Sequence, residues 1–395
     1  MNKSSLLLSL LMLLSGLSVV AYATDMDEFR EAISGNTAYL HHKKKDFDIN
    51  RYFAADGTLI EEIDGEFSRG QWSIEDDKLC IAYPDKPVKC RKIKGSDGDY
   101  AIANRNGKKR AIIFEAIEEG NTLELPEGFT VEKEKSTIRE ELFTIDTREG
   151  VTQSFLLMEP VDKKPAAVVI VYVGHDGTAE FTKVGDRYAI TSFNGGLPAH
   201  GKFHKILTRK KIALAIMAAP SDYDTGLTTE FRESKEHAED AAKVIAFLKQ
   251  RYGQKVYLYG HCRSTFSPAA VATHLKNRDL AGVILSSTRS QGRYGSVMEL
   301  PKGAIKVPVL LVHHVDDPCE GTPYKNIDKV KKFYEASSPD VKLITVRGGD
   351  GNRGNSNTQC GGGHHTFKAQ QGLVSHAIRD WLLKLPVPKE INEED

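Results

Sequence analysis

An excess of charge of either sign is missing from this 395-residue chain: Lys plus Arg and Asp plus Glu each number 54, for a formal net charge of zero. With no field of one sign, nucleic acid is excluded as the main expected partner. Beyond Val20 there is no apolar run of the roughly 20 residues that a membrane-spanning helix needs, so no stable membrane anchor is expected. Cysteine is scarce and odd in number, five in all. The first is Cys80, too far from the N-terminus to serve as the lipid-bearing cysteine of a bacterial lipoprotein.

What is present begins with a leader pattern. Lys3 supplies a positive start, Leu6 to Val20 an apolar stretch, and Ala21-Tyr22-Ala23 a small-x-small cleavage signal. The apolar stretch, at about 15 residues, falls short of a span. Residues 1–23 are therefore expected to be a signal peptide that delivers the chain to the periplasm. In an oxidising compartment the cysteines become informative. Cys80 and Cys90 flank Tyr83-Pro84-Asp85-Lys86-Pro87, where two strand ends and a Pro-marked loop would bring them together. Four cysteines alone allow three pairings. Pairing Cys80 with Cys90 and Cys319 with Cys360 leaves Cys262 alone, and an odd cysteine in an exported protein points to a reactive thiol or an intermolecular link.

The length implies two domains. From 24 to 125, short apolar runs alternate with turns such as Ala55-Asp56-Gly57, Asp64-Gly65 and Arg105-Asn106-Gly107, the texture of a small antiparallel β domain, sandwich or barrel. No catalytic constellation falls in it; His41-His42-Lys43-Lys44-Lys45 is read as a solvated hairpin or loop. Residues 126–140 are read as a linker, 141–388 as an α/β domain, and 389–395 as an acidic tail. In the α/β domain, strands alternate with helices, the signature of a mostly parallel sheet with helices on both faces. Strand Ala166–Val173 ends in Gly174-His175-Asp176-Gly177, and strand Ile212–Met217 ends at Pro220-Ser221-Asp222 on the expected rim of the site. Phe231–Arg251 has the apolar spacing of one helix. Strands Gly282–Leu285, Val307–Val312 and Val341–Val346 follow, with helices over about Ile327–Ala336 and Gly372–Leu385.

Val256–Ala272 organises the domain. An apolar strand runs through Gly260-His261-Cys262-Arg263-Ser264 into a helix, the layout of a nucleophile elbow, usually G-x-S-x-G. Gly260 meets the first glycine position; Cys262 replaces Ser, and Ser264 replaces the second Gly, where it is expected to crowd the helix. A thiol at the apex needs a base, and the base a carboxylate. Both follow in the order nucleophile, acid, His. One strand runs into His313-His314-Val315-Asp316-Asp317-Pro318-Cys319, and a later one into a Gly-rich loop ending Gly361-Gly362-Gly363-His364-His365-Thr366-Phe367. Arg263 is expected to form a surface salt bridge. Its backbone N–H, with that of His175 or Asp176, is expected to form the oxyanion hole.

At these residues, over about Leu142–Leu385, the chain resembles the α/β-hydrolase superfamily, and within it the exported serine-esterase-like members and the cysteine-using dienelactone hydrolases. The resemblance implies Asp317 in preference to Asp316 as acid, His365 in preference to His364 as base, and a Cys319–Cys360 bridge. It implies hydrolysis of a small-molecule ester or thioester by a Cys262–His365–Asp317 triad, with no cofactor or metal. The competing readings are a catalytically silent binding protein on the same fold, and an acyltransferase or peptidase using the same triad. Oligomeric state is not readable from the sequence.

Overall fold

The computed structural model describes residues 26–392, apart from 76, 85, 97, 105–106, 127–128, 130–137, 162, 192–200 and 353–358. The leader expected over 1–23, most of the linker expected over 126–140 and the last three residues of the chain lie outside the described residues.

In the N-terminal part, strands of alternating burial are separated by turns with positive φ at Asp46, Gly57, Asp64 and Gly65. The strands are β1 (Asn36–His42), β2 (Phe47–Phe53), β3 (Thr58–Ile63), β4 (Glu66–Glu75), β5 (Lys78–Ala82), β6 (Lys89–Lys94), β7 (Ala101–Ala103) and β8 (Arg110–Glu119). Each is antiparallel to the next, and β8 pairs back onto β1 from Asn36↔Glu119 to His42↔Ile112, so the sheet closes into a barrel. Helix α1 (Met26–Ile33) sends Phe29 and Ile33 into the barrel core beside Phe53, Tyr100 and Phe114, all buried. His41 and His42 end β1, and His41 Nδ1 lies 2.8 Å from Asp48 Oδ1 across the hairpin.

The second part begins with the antiparallel pair β9 (Ile138–Arg148) and β10 (Val151–Pro160), then β11 (Ala167–Val171). A separate hairpin follows, β12 (Glu180–Val184) and β13 (Arg187–Thr191), then α2 (Gly201–Thr208) and β14 (Ile212–Pro220). Next come α3 (Thr229–Glu233), α4 (Lys235–Tyr252), β15 (Val256–His261), α5 (Phe266–His274), β16 (Leu280–Ser286) and β17 (Val309–His314). The chain closes with α6 (Ile327–Glu335), β18 (Val341–Val346), α7 (Gln371–Leu382) and β19 (Glu390–Ile391). The nine-stranded sheet has the order β19-β18-β17-β16-β15-β11-β14-β10-β9, parallel from β19 through β14 and antiparallel at β10 and β9.

Side-chain alternation explains why both faces are covered. Val168 and Ile170 of β11 pack with residues of α4, α5 and α6, whereas Ala167, Val169 and Val171 pack with residues of α2 and α7. After β11 the chain moves to β14 on one side, and later elements build from β15 on the other. That reversal lies at the carboxyl ends of β11 and β15, the place where open α/β sheets bind ligands.

Three boundaries differ from expectation. The helix expected over Phe231–Arg251 is broken at Ser234, which is extended (φ −77°, ψ 163°) and whose hydroxyl caps α4 by accepting from His237 N–H. A serine that satisfies an orphan N–H this way starts a helix instead of continuing one. His313 and His314 lie in β17, not in the loop after it. The acidic tail is also not free along its length: Glu390 and Ile391 pair with Thr345 and Val346, because Ile391 is apolar and becomes buried there.

The hairpin β12–β13 joins the two parts. Val184 and Ala189 pack against Cys80 and Ala82 of the barrel, and Asp186 N–H donates to Gln71 Oε1 at 3.0 Å. Arg187 donates to the carbonyls of Tyr83 and Pro84 and pairs with the buried Glu140 at 2.7 Å.

Candidate active site

Cys262 stands at the carboxyl end of β15 with φ +55°, a left-handed conformation that a non-glycine residue adopts only under local strain. The turn is held from both sides. A Cβ on Gly260 would lie 2.5 Å from Ser264 O and 2.9 Å from Pro268 Cγ, so only glycine lets the following helix come this close. Ser264, expected to crowd the helix, is instead fully buried and bonded at both ends: it accepts from His261 N–H at 2.8 Å and donates to His261 O at 2.9 Å. The hydroxyl satisfies polar groups that a glycine would leave unpaired. Gly260→Ala is therefore expected to lower stability by about 1–3 kcal/mol through overpacking. Gly372→Ala, where a Cβ meets nothing within 4 Å, is the control and is expected not to destabilise. Urea midpoints of the two variants check this.

Asp317 follows β17 and His365 follows β18, and the structure brings them together. His365 Nδ1 lies 2.9 Å from Asp317 Oδ1 and 3.0 Å from Oδ2, and neither side chain is accessible. Asp317 also accepts from Cys319 N–H at 2.9 Å and Thr322 O–H at 2.8 Å, and His313 Nε2 lies 3.4 Å away. Burial acts to raise the Asp317 carboxyl, but the charge of His365 and the hydrogen bonds of His313 and His365 outweigh it and hold the group far below the usual carboxylate range. Ser287 O–H donates to His365 O at 2.9 Å and fixes the base loop from below. Among the described residues no group meets His365 Nε2 at hydrogen-bond distance, and a His365 ring nitrogen, Cys262 Sγ and Cys319 Sγ lie within 4.8 Å of one another.

The electrostatics favour an ion pair between the Cys262 sulfur and the His365 ring. Burial pushes the Cys262 thiol up, but the His365 cation and the Arg289 guanidinium more than reverse this, leaving it below its ordinary value. Burial works against the His365 cation, but Asp317 and the Cys262 thiolate overcome it and push the imidazolium up to about 10. Thiolate and imidazolium thus stabilise each other. His261, stacked edge-on to His365 at 4.9 Å, is held neutral, mainly by burial.

Asp316 and His364 lie outside this arrangement. Asp316 is exposed and its N–H donates to His314 Nδ1, while His364 stacks on His314 at 4.2 Å. The donors of His314, Asp316 and His364 are also close together. His314 is already committed through both ring nitrogens, Nε2 to Gly348 O and Nδ1 to Asp316 N–H, so it has no lone pair to offer a metal. Cys319 is bonded to Cys360, which removes its sulfur as a thiolate ligand beside Cys262 and His365.

Both disulfides are formed, Cys80–Cys90 and Cys319–Cys360, and Cys262 is the free cysteine. The second links the loop of Asp317 to the loop of His365 across 41 residues. In the chain-entropy treatment such closure contributes about 4 kcal/mol. No described helix is long and apolar enough to cross a membrane.

The N–H of Arg263 lies in the first turn after Cys262, where no intrahelical acceptor exists. His175, with φ 52°, and Asp176 occupy the loop after β11, next to β15 in the sheet. Among the described residues, neither of their backbone N–H groups donates to a protein acceptor. A Cβ on Gly177 would lie 2.7 Å from Arg232 Nη2, so the glycine lets this loop settle onto a buried arginine. Ser221 and Asp222 are structural: Ser221 Oγ accepts from Thr152 N–H, and Asp222 pairs with Arg148.

The expected surface salt bridge of Arg263 is absent among the described residues; its guanidinium lies 4.3 Å from the centre of the Tyr294 ring. Arg232, Arg289 and His313 are marked by no motif in the sequence. The one local signal was the polar run Ser286-Ser287-Thr288-Arg289-Ser290 at the end of a buried parallel strand, the part of such a sheet that faces ligands.

No protein-family model matches the chain, and no curated protein matches it. Among solved structures it is similar to a zinc-bound novel cold-adapted esterase from an Arctic intertidal metagenomic library, at 13% identity and TM-score 0.40, over 55% of this chain and 86% of that one. It is similar to the esterase domain of a Rhodothermus marinus protein, at 13% identity and TM-score 0.39, over 62% of this chain and 99% of that one. A fungal esterase from Rhizomucor miehei is similar at 12% identity and TM-score 0.44, over 62% of this chain and 82% of that one.

Proposed function

We propose that this protein is an exported, periplasmic hydrolase of α/β-hydrolase type that cleaves a carboxylic ester or thioester through a Cys262–His365–Asp317 triad. One arrangement carries the reading: a strained cysteine at the sheet's switch point, within 4.8 Å of a histidine nitrogen, whose ring is bonded to a carboxylate at 2.9 Å. Strain at a non-glycine left-handed residue costs about 1–3 kcal/mol and persists where it serves a site. That favours a working elbow over a silent one.

In this mechanism the Cys262 thiolate attacks the carbonyl carbon, and the carbonyl electron pair moves onto oxygen. The N–H of Arg263 and that of His175 or Asp176 face this oxyanion. Collapse expels the alcohol or thiol, which takes the Nε2 proton of His365, and leaves an acyl thioester on Cys262. Neutral His365 then takes a proton from water, the hydroxide attacks the thioester, and the acid departs with the thiolate restored. Asp317 stays ionised throughout and holds the imidazole. An alcohol or amine in place of water would make the same cycle an acyl transfer.

The expected result is turnover of short-chain p-nitrophenyl esters, with iodoacetamide labelling one thiol, Cys262, and stopping that turnover. A folded protein with no activity across acetyl to octanoyl esters, whether or not its thiol is labelled, would sink the proposal.

A further inference from the structure

Arg232 of α3 is fully buried and stands at a joint between two segments of the site. Its Nη1 donates to Ser267 Oγ at 3.1 Å and its Nη2 to His175 O at 3.3 Å. Ser267 belongs to α5, which continues the turn carrying Arg263, and His175 belongs to the loop after β11. One planar guanidinium thus ties together the two segments that carry the proposed oxyanion donors. The loop rests on it closely: a Cβ on Gly177 would lie 2.7 Å from Nη2 and 2.6 Å from Leu227 Cδ1, so only glycine closes the contact. Burial and the charge of Arg263 oppose the Arg232 cation, while the charges of Asp176 and Cys262 favour it.

The side of the loop on which Arg232 lies decides which amide faces the site. His175 has φ 52°, a left-handed conformation that a non-glycine residue holds only when its surroundings impose it. In a trans peptide the carbonyl of one residue and the N–H of the next point in opposite directions. The carbonyl of His175 is turned inward, onto a guanidinium that solvent does not reach. The N–H of Asp176 shares that peptide plane and is aimed the other way, toward the side on which His175 is exposed and Asp176 half-buried. Among the described residues it donates to no protein acceptor. The N–H of His175 belongs to the preceding peptide, whose carbonyl on Gly174 is taken up within the turn by Gly177 N–H.

We infer that Arg232 is a positioning residue: by holding His175 O and Ser267 Oγ it aims the N–H of Asp176 at the oxyanion formed when Cys262 attacks. This rests on the hydrolase proposal and chooses Asp176 over His175 as the second donor. Its test separates attack that builds an oxyanion from attack that does not. On an ester, the sulfur bonds to the carbonyl carbon and the carbonyl electron pair moves onto oxygen. On iodoacetamide, it bonds to a saturated carbon and iodide leaves. The thiolate fraction enters both rates alike and cancels in their ratio.

Arg232→Met keeps an apolar chain of similar reach and loses every donor. In this variant the ratio of kcat/KM for p-nitrophenyl acetate to the iodoacetamide rate is expected to fall about ten-fold, and Arg232→Lys, with one donating head, should recover part of the loss. A residue that only supports the fold would lower both rates together and leave the ratio in place. A fall of less than about three-fold in Arg232→Met overturns the inference. Should neither variant fold, Ser267→Ala, which removes one tether and keeps the guanidinium, decides by the same ratio: a fall supports the role and an unchanged ratio overturns it.

Butanal carries the test where no ester is turned over. Addition of the Cys262 thiolate to its carbonyl builds an oxyanion with no leaving group, and the concentration that half-protects Cys262 from iodoacetamide should rise about ten-fold in Arg232→Met. Ester turnover with the ratio unchanged would remove the role of Arg232 and leave the hydrolase. Butanal protection weakened by Arg232→Met, without ester turnover, would do the reverse. Neither turnover nor protection in the unaltered protein would overturn both.

Discussion

Cys262→Ala is expected to lower ester turnover by about 10³-fold or more, since losing the nucleophile of a triad leaves only the binding and oxyanion contributions. The fold should survive, because the side chain is small and the elbow is held by Gly260 and Ser264. Cys262→Gly adds a test of the strain. Both variants lack the thiol, but glycine adopts φ near +55° without a Cβ penalty. The glycine variant should therefore unfold about 1 kcal/mol later than the alanine variant. Equal urea midpoints, with both variants inactive, would mean that the left-handed turn stores no strain. Undiminished ester turnover in either variant would place the chemistry elsewhere.

His365→Ala is expected to move the nucleophile's titration upward and to lower ester turnover by about 10²–10⁴-fold. Burial acts against the thiolate, and the His365 cation is the strongest influence in its favour. Without it, burial prevails over Arg289, and the alkylation rate should follow a pKa at or above the free-cysteine value of about 8.5. In the intact protein the acid limb of alkylation should lie below that value. Ester turnover should have the same acid limb, where the thiolate is protonated, and an alkaline limb near 10, where the imidazolium is lost. The pH dependence of iodoacetamide alkylation, measured on both proteins, decides the matter: coincident acid limbs would show that His365 does not hold the thiolate.

Much of this site is marked along the chain because each part ends a strand with its own local signature. Gly260 marks the tight turn before Cys262, the aspartate pair follows an apolar run, and Gly361 to Gly363 precede His365. The resemblance implies Asp317 over Asp316 and His365 over His364; Asp317 and His365 lie 2.9 Å apart, whereas Asp316 and His364 are engaged with His314. Arg232 is harder to see. A charged residue in a short helix looks solvated until Gly177 and Ser267 are placed around it. Ser264 reads as a crowding residue by its size, but its hydrogen bonds to His261 N–H and O decide its place. The break at Ser234 is hidden in the sequence because the apolar spacing of Phe231–Arg251 continues smoothly through a residue whose hydroxyl caps the next helix.

The grip of β12–β13 on the barrel has a practical consequence for dividing this protein. The peptide boundary between the two parts lies near residues 126–137, but their packing boundary does not coincide with it. Cutting the gene there to obtain the α/β part alone would strip the barrel from Val184 and Ala189 and take from Arg187 the carbonyls of Tyr83 and Pro84. The bared hairpin follows directly on the loop that carries His175 and Asp176. A shortened protein that proved sticky or poorly active would thus be reporting a torn joint, not a role for the barrel in chemistry. A graft that replaced the barrel with another module would have to carry a matching hairpin with it.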